Sequence, residues 1–179
     1  MTVFLSGGAK NGKSYHAQRI SKALSRGAPL YYIATMIPHD SEDNARIARH
    51  LREREGWGFE TLELGSNISS CLERTEGRGS YLLDSVTALL ANEMFSADGS
   101  FDPNAPARVA EDLLNFARYA ENAVFVSDYL YADAGRYDEW TEAYRRGLAY
   151  VDRALARACG AVAEIVSGRR ILYKGALPV

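Results

Sequence analysis

Short apolar runs recur along the chain and are separated by longer stretches with helical spacing. The runs cover residues 3–5, 30–34, 59–64, 81–83, 123–126, 162–166 and 171–173. Several of them, such as 81–83, do not alternate between polar and apolar positions, which is typical of strands buried on both faces. Strands that alternate with helices predict βαβ units, and therefore a mostly parallel α/β sheet of about seven strands flanked by helices.

The end of the chain departs from this alternation. Residues 167–170, Ser-Gly-Arg-Arg, separate the last two runs as in a hairpin, so the final strand is predicted to be antiparallel to its neighbour. Helix starts are predicted at Asp40–Ser41 and at Asp102–Pro103. Helical spacing predicts a core or subunit contact for a group of apolar positions before the hairpin: Trp140, Tyr144, Leu148, Val151 and Leu155. We expect a single domain over residues 1–179.

Composition narrows the classes of protein that fit. The chain has 179 residues, is 47% hydrophobic and 25% charged, and carries a net charge of −2. A chain without basic excess is a poor match for a nucleic acid partner. Two cysteines, Cys71 and Cys159, fit no metal spacing, and no apolar run is long enough to span a bilayer. We therefore expect a cytoplasmic protein without membrane insertion.

The first predicted strand leads into the pattern Gly7-x-x-x-x-Gly12-Lys13-Ser14, followed by a predicted helix. This is the P-loop pattern, in which backbone N–H groups surround phosphate oxygens at a helix N-terminus. Lys13 is expected to reach the β- and γ-phosphates, and the Ser14 hydroxyl to bind Mg²⁺. The predicted nucleotide-binding residues of this loop are Gly7, Gly8, Ala9, Lys10, Asn11, Gly12, Lys13 and Ser14. The alternative is a glycine-rich turn without a ligand.

A P-loop needs a second acid at a strand end to complete the magnesium shell. Asp84 directly follows the apolar run 81–83 and is the candidate. The alternative is that Asp84 only caps a strand end. With Ser14, Asp84 forms the predicted metal site.

The segment after the second predicted strand reads as a helix that carries a histidine. Arg46, His50 and Arg54 follow i, i+4, i+8 spacing and share one face. Such a face could bind phosphates, and a neutral imidazole can attack a phosphoryl group. The alternative is a solvated charged face. For the other two histidines, His16 and His39, we expect packing or capping roles.

Together these motifs resemble the bifunctional adenosylcobinamide kinase/adenosylcobinamide-phosphate guanylyltransferases of cobalamin synthesis. The similarity runs in order through most of the chain. It comprises the Gly-Gly-Ala-x-x-Gly-Lys-Ser loop at 7–14, Tyr-Ile-Ala-Thr at 32–35, Arg-Ile-x-x-His at 46–50, Trp57, Thr-x-Glu at 61–63, then Asp84, Thr87 and Asn92, and Ser-Gly at 167–168.

The resemblance implies a RecA-like P-loop fold, a homotrimer and two reactions. ATP or GTP phosphorylates adenosylcobinamide with Mg²⁺. GTP then guanylylates His50, and the GMP passes to adenosylcobinamide phosphate. Lys13 and Asp84 join His50 as implied catalytic residues. Further nucleotide-binding residues that the resemblance implies are Arg46, Arg49, Arg54 and Glu63.

The second half departs from the family pattern. Residues 127–133, Ser-Asp-Tyr-Leu-Tyr-Ala-Asp, stand where the family has Asn-Glu-Val-Gly-x-Gly, so Asp128 replaces the glutamate and the glycines are lost. Other family positions are altered at Arg145–Arg146, Ala149 and Asp152. Tyr129 and Tyr131 are candidates to contact a large flat ligand.

These departures leave two alternatives open. One is a small-molecule P-loop kinase without guanylyl transfer or with another substrate. The other, of a different class, is a nucleotide-binding switch protein.

Overall fold

A computed structural model describes residues 1–38, 45, 47–49, 51–52, 54–96 and 98–179. Within them, seven strands form one sheet: β1 Thr2–Gly7, β2 Leu30–Ala34, β3 Glu60–Glu63, β4 Ser80–Asp84, β5 Asn122–Asp128, β6 Ala161–Val166 and β7 Arg169–Lys174. The labelled helices are α1 Lys13–Ser25, α2 Cys71–Thr75, α3 Val86–Met94, α4 Ala105–Tyr119 and α5 Glu139–Ala158. Residues 45, 47–49 and 51–52 are also helical. Two 3₁₀ turns occur at Ile68–Ser70 and Leu130–Ala132.

The strand order is β3-β2-β4-β5-β1-β6-β7, and all neighbours pair in parallel except β6 and β7. The predicted α/β class and the antiparallel last strand are confirmed. Since β1 lies between β5 and β6, the carboxyl ends of these two strands are the nearest strand ends to the P-loop. Periodicity along the chain carries no information about this order.

Each face of the sheet supports its own apolar cluster. Val3 and Leu5 point towards Ile20 of α1, whereas Phe4 points to the opposite face. On that opposite face, α3, α4 and α5 contribute buried residues such as Leu113. The alternation of β1 side chains thus fixes α1 and the P-loop to one face of the sheet.

Helix α4 begins later than predicted. It starts at Ala105 after the N-cap position Asn104, and Pro106 lies in its first turn. Asp102 accepts a hydrogen bond from the Asn104 backbone N–H at 2.8 Å, so it stabilises the turn before the helix and is not its cap. The predicted start at Asp40–Ser41 lies outside the described residues. No helix among the described residues is long and apolar enough to cross a bilayer.

The apolar spacing predicted before the hairpin is that of α5. Leu148, Val151 and Leu155 are fully buried against the sheet. Trp140, by contrast, is 57% exposed and stacks on Phe101, with ring centroids 6.1 Å apart. The first turn of α5 therefore lies at the surface, and only the later turns belong to the core.

Candidate active site

The P-loop connects the end of β1 to the start of α1, as its sequence predicts. Gly12 adopts φ 86°, which an L side chain rarely tolerates, and occupies the N-cap position of α1. A Cβ on Gly7 would lie 2.5 Å from the Ile165 carbonyl oxygen of β6. Both glycines are therefore required by the backbone itself, which curls the loop over the N-terminus of α1.

Lys13 points back into the loop and is buried. Its Nζ donates a hydrogen bond to the Gly8 carbonyl oxygen at 2.7 Å and forms an ion pair with Oδ1 of Asp128 at 2.6 Å. Asp128 ends β5, the strand next to β1. The loop lysine is thus held between its own loop and a carboxylate on the neighbouring strand.

A cleft of about 1210 Å³ opens beside the P-loop. It is large enough for a nucleoside triphosphate. The predicted site residues that line it are Ala9, Lys10, Asn11, Gly12, Lys13, Ser14, Arg49, Arg54, Glu63 and Asp84. Tyr15, Tyr32 and Asp128 contribute as well.

Other predicted residues lie elsewhere. Gly7 and Gly8 belong to the loop but do not line the cleft. Arg46 and His50 lie outside the described residues, as does His39, so the predicted arginine–histidine face has no structural test. Within the same segment, Ile47, Arg49 and Leu51 line the cleft.

Asp84 sits at the carboxyl end of β4 and is joined to Tyr32 of β2. The Tyr32 hydroxyl donates to Oδ2 of Asp84 at 2.9 Å. Burial raises the pKa of Tyr32 well above its ordinary value, and the charge of Asp84 raises it further. Tyr32 therefore keeps its proton and remains a hydrogen-bond donor to the carboxylate.

Arg54 lies on the other side of the same ring. Its guanidinium carbon is 4.0 Å from the Tyr32 ring centroid, and Nη2 donates to Oγ1 of Thr61 at 3.2 Å. Although arginine is a charged residue, Arg54 is only 8% exposed. The aromatic face and the threonine hydroxyl hold this cation at the wall of the cleft.

The oxygens of Ser14 and Asp84 suit a magnesium ion. A hydroxyl and a carboxylate are the hard oxygen donors that Mg²⁺ prefers, and the ion usually keeps several waters and binds phosphate oxygens. Both residues line the same cleft, one at the start of α1 and one at the end of β4. The donor set therefore fits a P-loop magnesium ion.

Polar side chains tie the strand ends around the cleft together. Thr35 is fully buried, and its Oγ1 both donates to the Ser85 carbonyl and accepts from the Ser85 N–H, each at 2.8 Å. Asn92 donates to the carbonyls of Thr35 and Gly65 at 2.7 and 3.0 Å. Thr35 and Asn92, both within the family-like motifs, thus fix the ends of β2, β3 and β4 relative to one another.

The hairpin between β6 and β7 closes onto the P-loop. The Gly168 N–H donates to the Asn11 carbonyl at 3.2 Å, and Nε2 of His16 lies 3.0 Å from the Gly168 carbonyl oxygen. This gives His16 the packing role that we expected. The Ser167–Gly168 motif therefore supports the loop.

Tyr129 and Tyr131 do not line the cleft. The Tyr131 hydroxyl donates to Oδ2 of Asp152 at 2.9 Å, and its ring packs against the core beneath α5. The hypothesis that Tyr131 contacts a ligand is therefore wrong, because its polar end is used inside the protein. The Tyr129 hydroxyl lies 3.9 Å from the Cβ position of Gly8, beside the P-loop.

Asp152 is a buried acid near the site. It is 2% exposed, and burial raises its pKa to about 7. The charge of Asp128 raises this pKa further, whereas the hydrogen bond from Tyr131 opposes the rise. Sequence spacing places Asp152 on α5 but gives no signal that it is buried.

Asp128 and Tyr32 are site residues that sequence reasoning missed. Asp128 follows the apolar run 123–126 after one further residue, much as Asp84 follows 81–83, so the criterion that selected Asp84 also applies to Asp128. Tyr32 offered no comparable signal, because an aromatic residue in a strand usually belongs to the core.

Solved structures with this architecture include a KaiC-like protein from the archaeon Pyrococcus horikoshii. It has a TM-score of 0.52 at 12% identity and covers 97% of this chain and 78% of its own. The flagellar accessory protein FlaH from Methanocaldococcus jannaschii has a TM-score of 0.52 at 11% identity, covering 97% and 78%. An ATPase domain with a TM-score of 0.53 at 11% identity covers 98% and 78%. These similarities confirm the RecA-like P-loop fold.

Sequence comparison is more specific. The bifunctional adenosylcobalamin biosynthesis protein CobU of Escherichia coli (strain K12) is 31% identical over 106 residues, which are 58% of this chain and 56% of that protein. The alignment therefore spans little more than half of the relative. The sequence model described as cobinamide kinase / cobinamide phosphate guanyltransferase matches residues 3–172. With a match over nearly its whole length, and with the motif residues arranged around one cleft, the chain belongs to the cobinamide kinase / cobinamide phosphate guanyltransferase family.

Proposed function

We propose that this protein phosphorylates the hydroxyl of the aminopropanol arm of adenosylcobinamide with ATP or GTP. It then transfers GMP from GTP, through His50, to adenosylcobinamide phosphate and forms adenosylcobinamide-GDP. The observation that carries the proposal is the convergence of Lys13, Ser14 and Asp84 on one cleft, in a chain that the family model matches over residues 3–172.

In the kinase step the P-loop binds the triphosphate. Backbone N–H groups at the start of α1 surround the phosphates, and Lys13 neutralises charge on the β- and γ-oxygens. Ser14 and Asp84 would hold Mg²⁺, which supplies charge neutralisation at the phosphates when bound. Tyr32 keeps the Asp84 carboxylate oriented through its hydrogen bond. The chain thereby positions a γ-phosphoryl group for attack by a hydroxyl.

In the guanylyl step His50 acts as a covalent carrier. A neutral ring nitrogen attacks the α-phosphorus of GTP, the bond to the β-phosphate oxygen breaks, and pyrophosphate leaves. An oxygen of adenosylcobinamide phosphate then displaces the histidine. Support for this step comes from the family and from Arg49 and Leu51, which flank position 50 in sequence and line the cleft. Arg54, at the cleft wall, is a cation suited to the departing pyrophosphate.

We also propose that the protein acts as a homotrimer, as the family resemblance implies. The last strand, β7, exposes apolar side chains that an interface could bury, at Ile171, Leu172 and Tyr173. Light scattering after size-exclusion chromatography measures the number of chains per particle. A monomer at micromolar concentration would contradict the trimer.

The kinase half is tested by removing one part of the nucleotide site at a time. Lys13→Ala should lower adenosylcobinamide phosphate formation by about 100-fold or more, since removing a preorganised donor to a developing charge costs on that order. Asp84→Asn should lower turnover and weaken its dependence on Mg²⁺. Product is measured by chromatography of the corrinoid after incubation with ATP or GTP.

The matched control is Lys22→Ala, which removes an exposed lysine from the last turn of the same helix α1. It should leave turnover unchanged. Wild-type rates for Lys13→Ala or Asp84→Asn would show that the P-loop does not bind the reacting nucleotide. Turnover that required another protein instead of a corrinoid would favour the nucleotide switch.

A further inference from the structure

The ion pair between Lys13 and Asp128 joins the P-loop to the next strand. The Nζ–Oδ1 distance is 2.6 Å, and the two residues are 115 positions apart in sequence. A P-loop lysine is expected to reach the β- and γ-phosphates of a bound nucleotide. In this structure the same ammonium group is instead bound to a carboxylate and to the Gly8 carbonyl.

The two partners differ in their exposure. The Lys13 side chain is 6% exposed, whereas that of Asp128 is 28% exposed and lines the cleft. The backbone of Asp128 is fixed, because its N–H donates to Oγ1 of Thr87 at 2.8 Å. The carboxylate is therefore anchored at its backbone and open to the cleft at its other end.

We propose that Asp128 is the general base of the phosphoryl-transfer step, and that the incoming nucleotide releases it from Lys13. This inference rests on the proposed kinase function. When a γ-phosphate approaches Lys13, its oxygens compete with Asp128 for the ammonium group. The carboxylate that loses this partner is then free to accept a hydrogen bond from the acceptor hydroxyl, which must approach the same γ-phosphorus.

The proton and electron balance is simple. The hydroxyl oxygen forms a bond to the γ-phosphorus, and the bond from that phosphorus to the β-phosphate bridging oxygen breaks. The hydroxyl proton passes to an Asp128 carboxylate oxygen, and the nucleoside diphosphate leaves with the electron pair of the broken bond. No oxidant or other reactant is required. Once the products leave, the proton passes to solvent and Lys13 pairs with Asp128 again.

Position in the sheet favours Asp128 over the other acids that line the described cleft, Glu63 and Asp84. β5 is adjacent to β1, whereas β4 is one strand further and β3 is separated from β1 by three strands. With strands about 4.8 Å apart, the end of β3 lies roughly 19 Å from the P-loop strand. Asp84 is further from β1 and is assigned to magnesium.

The test compares wild type with Asp128→Asn and Asp128→Ala. Adenosylcobinamide phosphate formation is measured at saturating ATP and Mg²⁺, and binding of a fluorescent methylanthraniloyl-ATP reports nucleotide affinity and an intact site. Both variants should lose about 100-fold or more in kcat, the usual contribution of a general base. Their affinity for the ATP analogue should equal or exceed that of wild type, since Lys13 no longer has a charged competitor. Formate should restore the Asp128→Ala rate saturably, and it should not restore that of Lys13→Ala.

Three outcomes are decisive. Loss of kcat with retained ATP binding and formate rescue supports the inference. A near-wild-type kcat for Asp128→Asn, or a loss that formate does not rescue in Asp128→Ala, overturns the base while the kinase assignment stands. A wild-type protein that forms no adenosylcobinamide phosphate overturns the proposed function, and the base with it.

Discussion

The Tyr32 hydroxyl donates a hydrogen bond to Oδ2 of Asp84 across 2.9 Å, between neighbouring strands β2 and β4. Arg54 covers the ring of the same tyrosine at 4.0 Å. Tyr32 is 3% exposed, so the contact is shielded from water and the carboxylate has a fixed orientation. A residue that resembles ordinary strand core thus orients the acid proposed to hold magnesium.

Tyr32→Phe should raise the Mg²⁺ concentration for half-maximal kinase activity by about 3- to 10-fold, as expected when a carboxylate loses one hydrogen-bond donor. The rate at saturating Mg²⁺ should change much less. A Mg²⁺ titration of initial rates measures both quantities.

Tyr31→Phe is the matched control, because the Tyr31 ring stacks on Tyr81 with centroids 5.0 Å apart. It should leave the Mg²⁺ titration unchanged. An equal shift for both variants would mean that Tyr32 acts through packing and not through Asp84.

Gly7→Ala and Gly8→Ala should differ sharply in stability. At Gly7 the new methyl group would lie 2.5 Å from the backbone oxygen of Ile165, which cannot move without disturbing the pairing of β1 and β6. We expect a loss of roughly 1–3 kcal/mol. At Gly8 the nearest atom is Nδ2 of the Asn11 side chain, at 3.0 Å, which can rotate away.

Gly8→Ala should therefore stay within about 1 kcal/mol of wild type. Urea denaturation followed by circular dichroism gives both free energies of unfolding. Equal stabilities for the two variants would show that β1 and β6 separate more easily than the structure implies.

Asp152 should make the protein less stable as pH rises. Its folded pKa of about 7 is above the unfolded value of 3.8, so the folded state holds a proton that the unfolded state has lost between these values. Stability from this group is fully present below pH 3.8 and falls as pH increases towards 7. The slope is at most about 1.4 kcal/mol per pH unit for one proton.

Asp152→Asn should flatten this part of the stability profile, because an amide oxygen still accepts from Tyr131 but does not ionise. Free energies of unfolding at pH 5, 6, 7 and 8 measure the slope. Asp98→Asn, at an exposed acid in the loop after α3, should keep the wild-type slope. A slope that survives in Asp152→Asn would assign the pH dependence to another group.

The strands and the P-loop could be predicted because their signals are local. An apolar run, a glycine pattern and a lysine are read from a few neighbouring residues, and β1 with residues 7–14 confirmed that reading. The pairing of Lys13 with Asp128 could not be predicted, since it depends on β5 lying between β4 and β1. That order is set by how helices pack on the sheet, to which the spacing of apolar residues is blind.

The burial of Asp152 escaped prediction for a related reason. On α5 it follows directly after the buried Val151, and polar residues at such positions usually face solvent. Its partner Tyr131 comes from the turn after β5, 21 positions earlier. Only the packing of that turn beneath α5 shows that the acid is enclosed.

The measurement that most directly tests the two-step account is the intact mass of the protein after incubation with GTP and Mg²⁺. Wild type should gain the mass of one GMP through an acid-labile bond. His50→Asn should gain none, yet should still form adenosylcobinamide phosphate. His16→Asn and His39→Asn change the two remaining histidines of the chain and should be modified like wild type. An unmodified wild type, or a His50→Asn variant that still gains GMP, would contradict the covalent guanylyl-histidine.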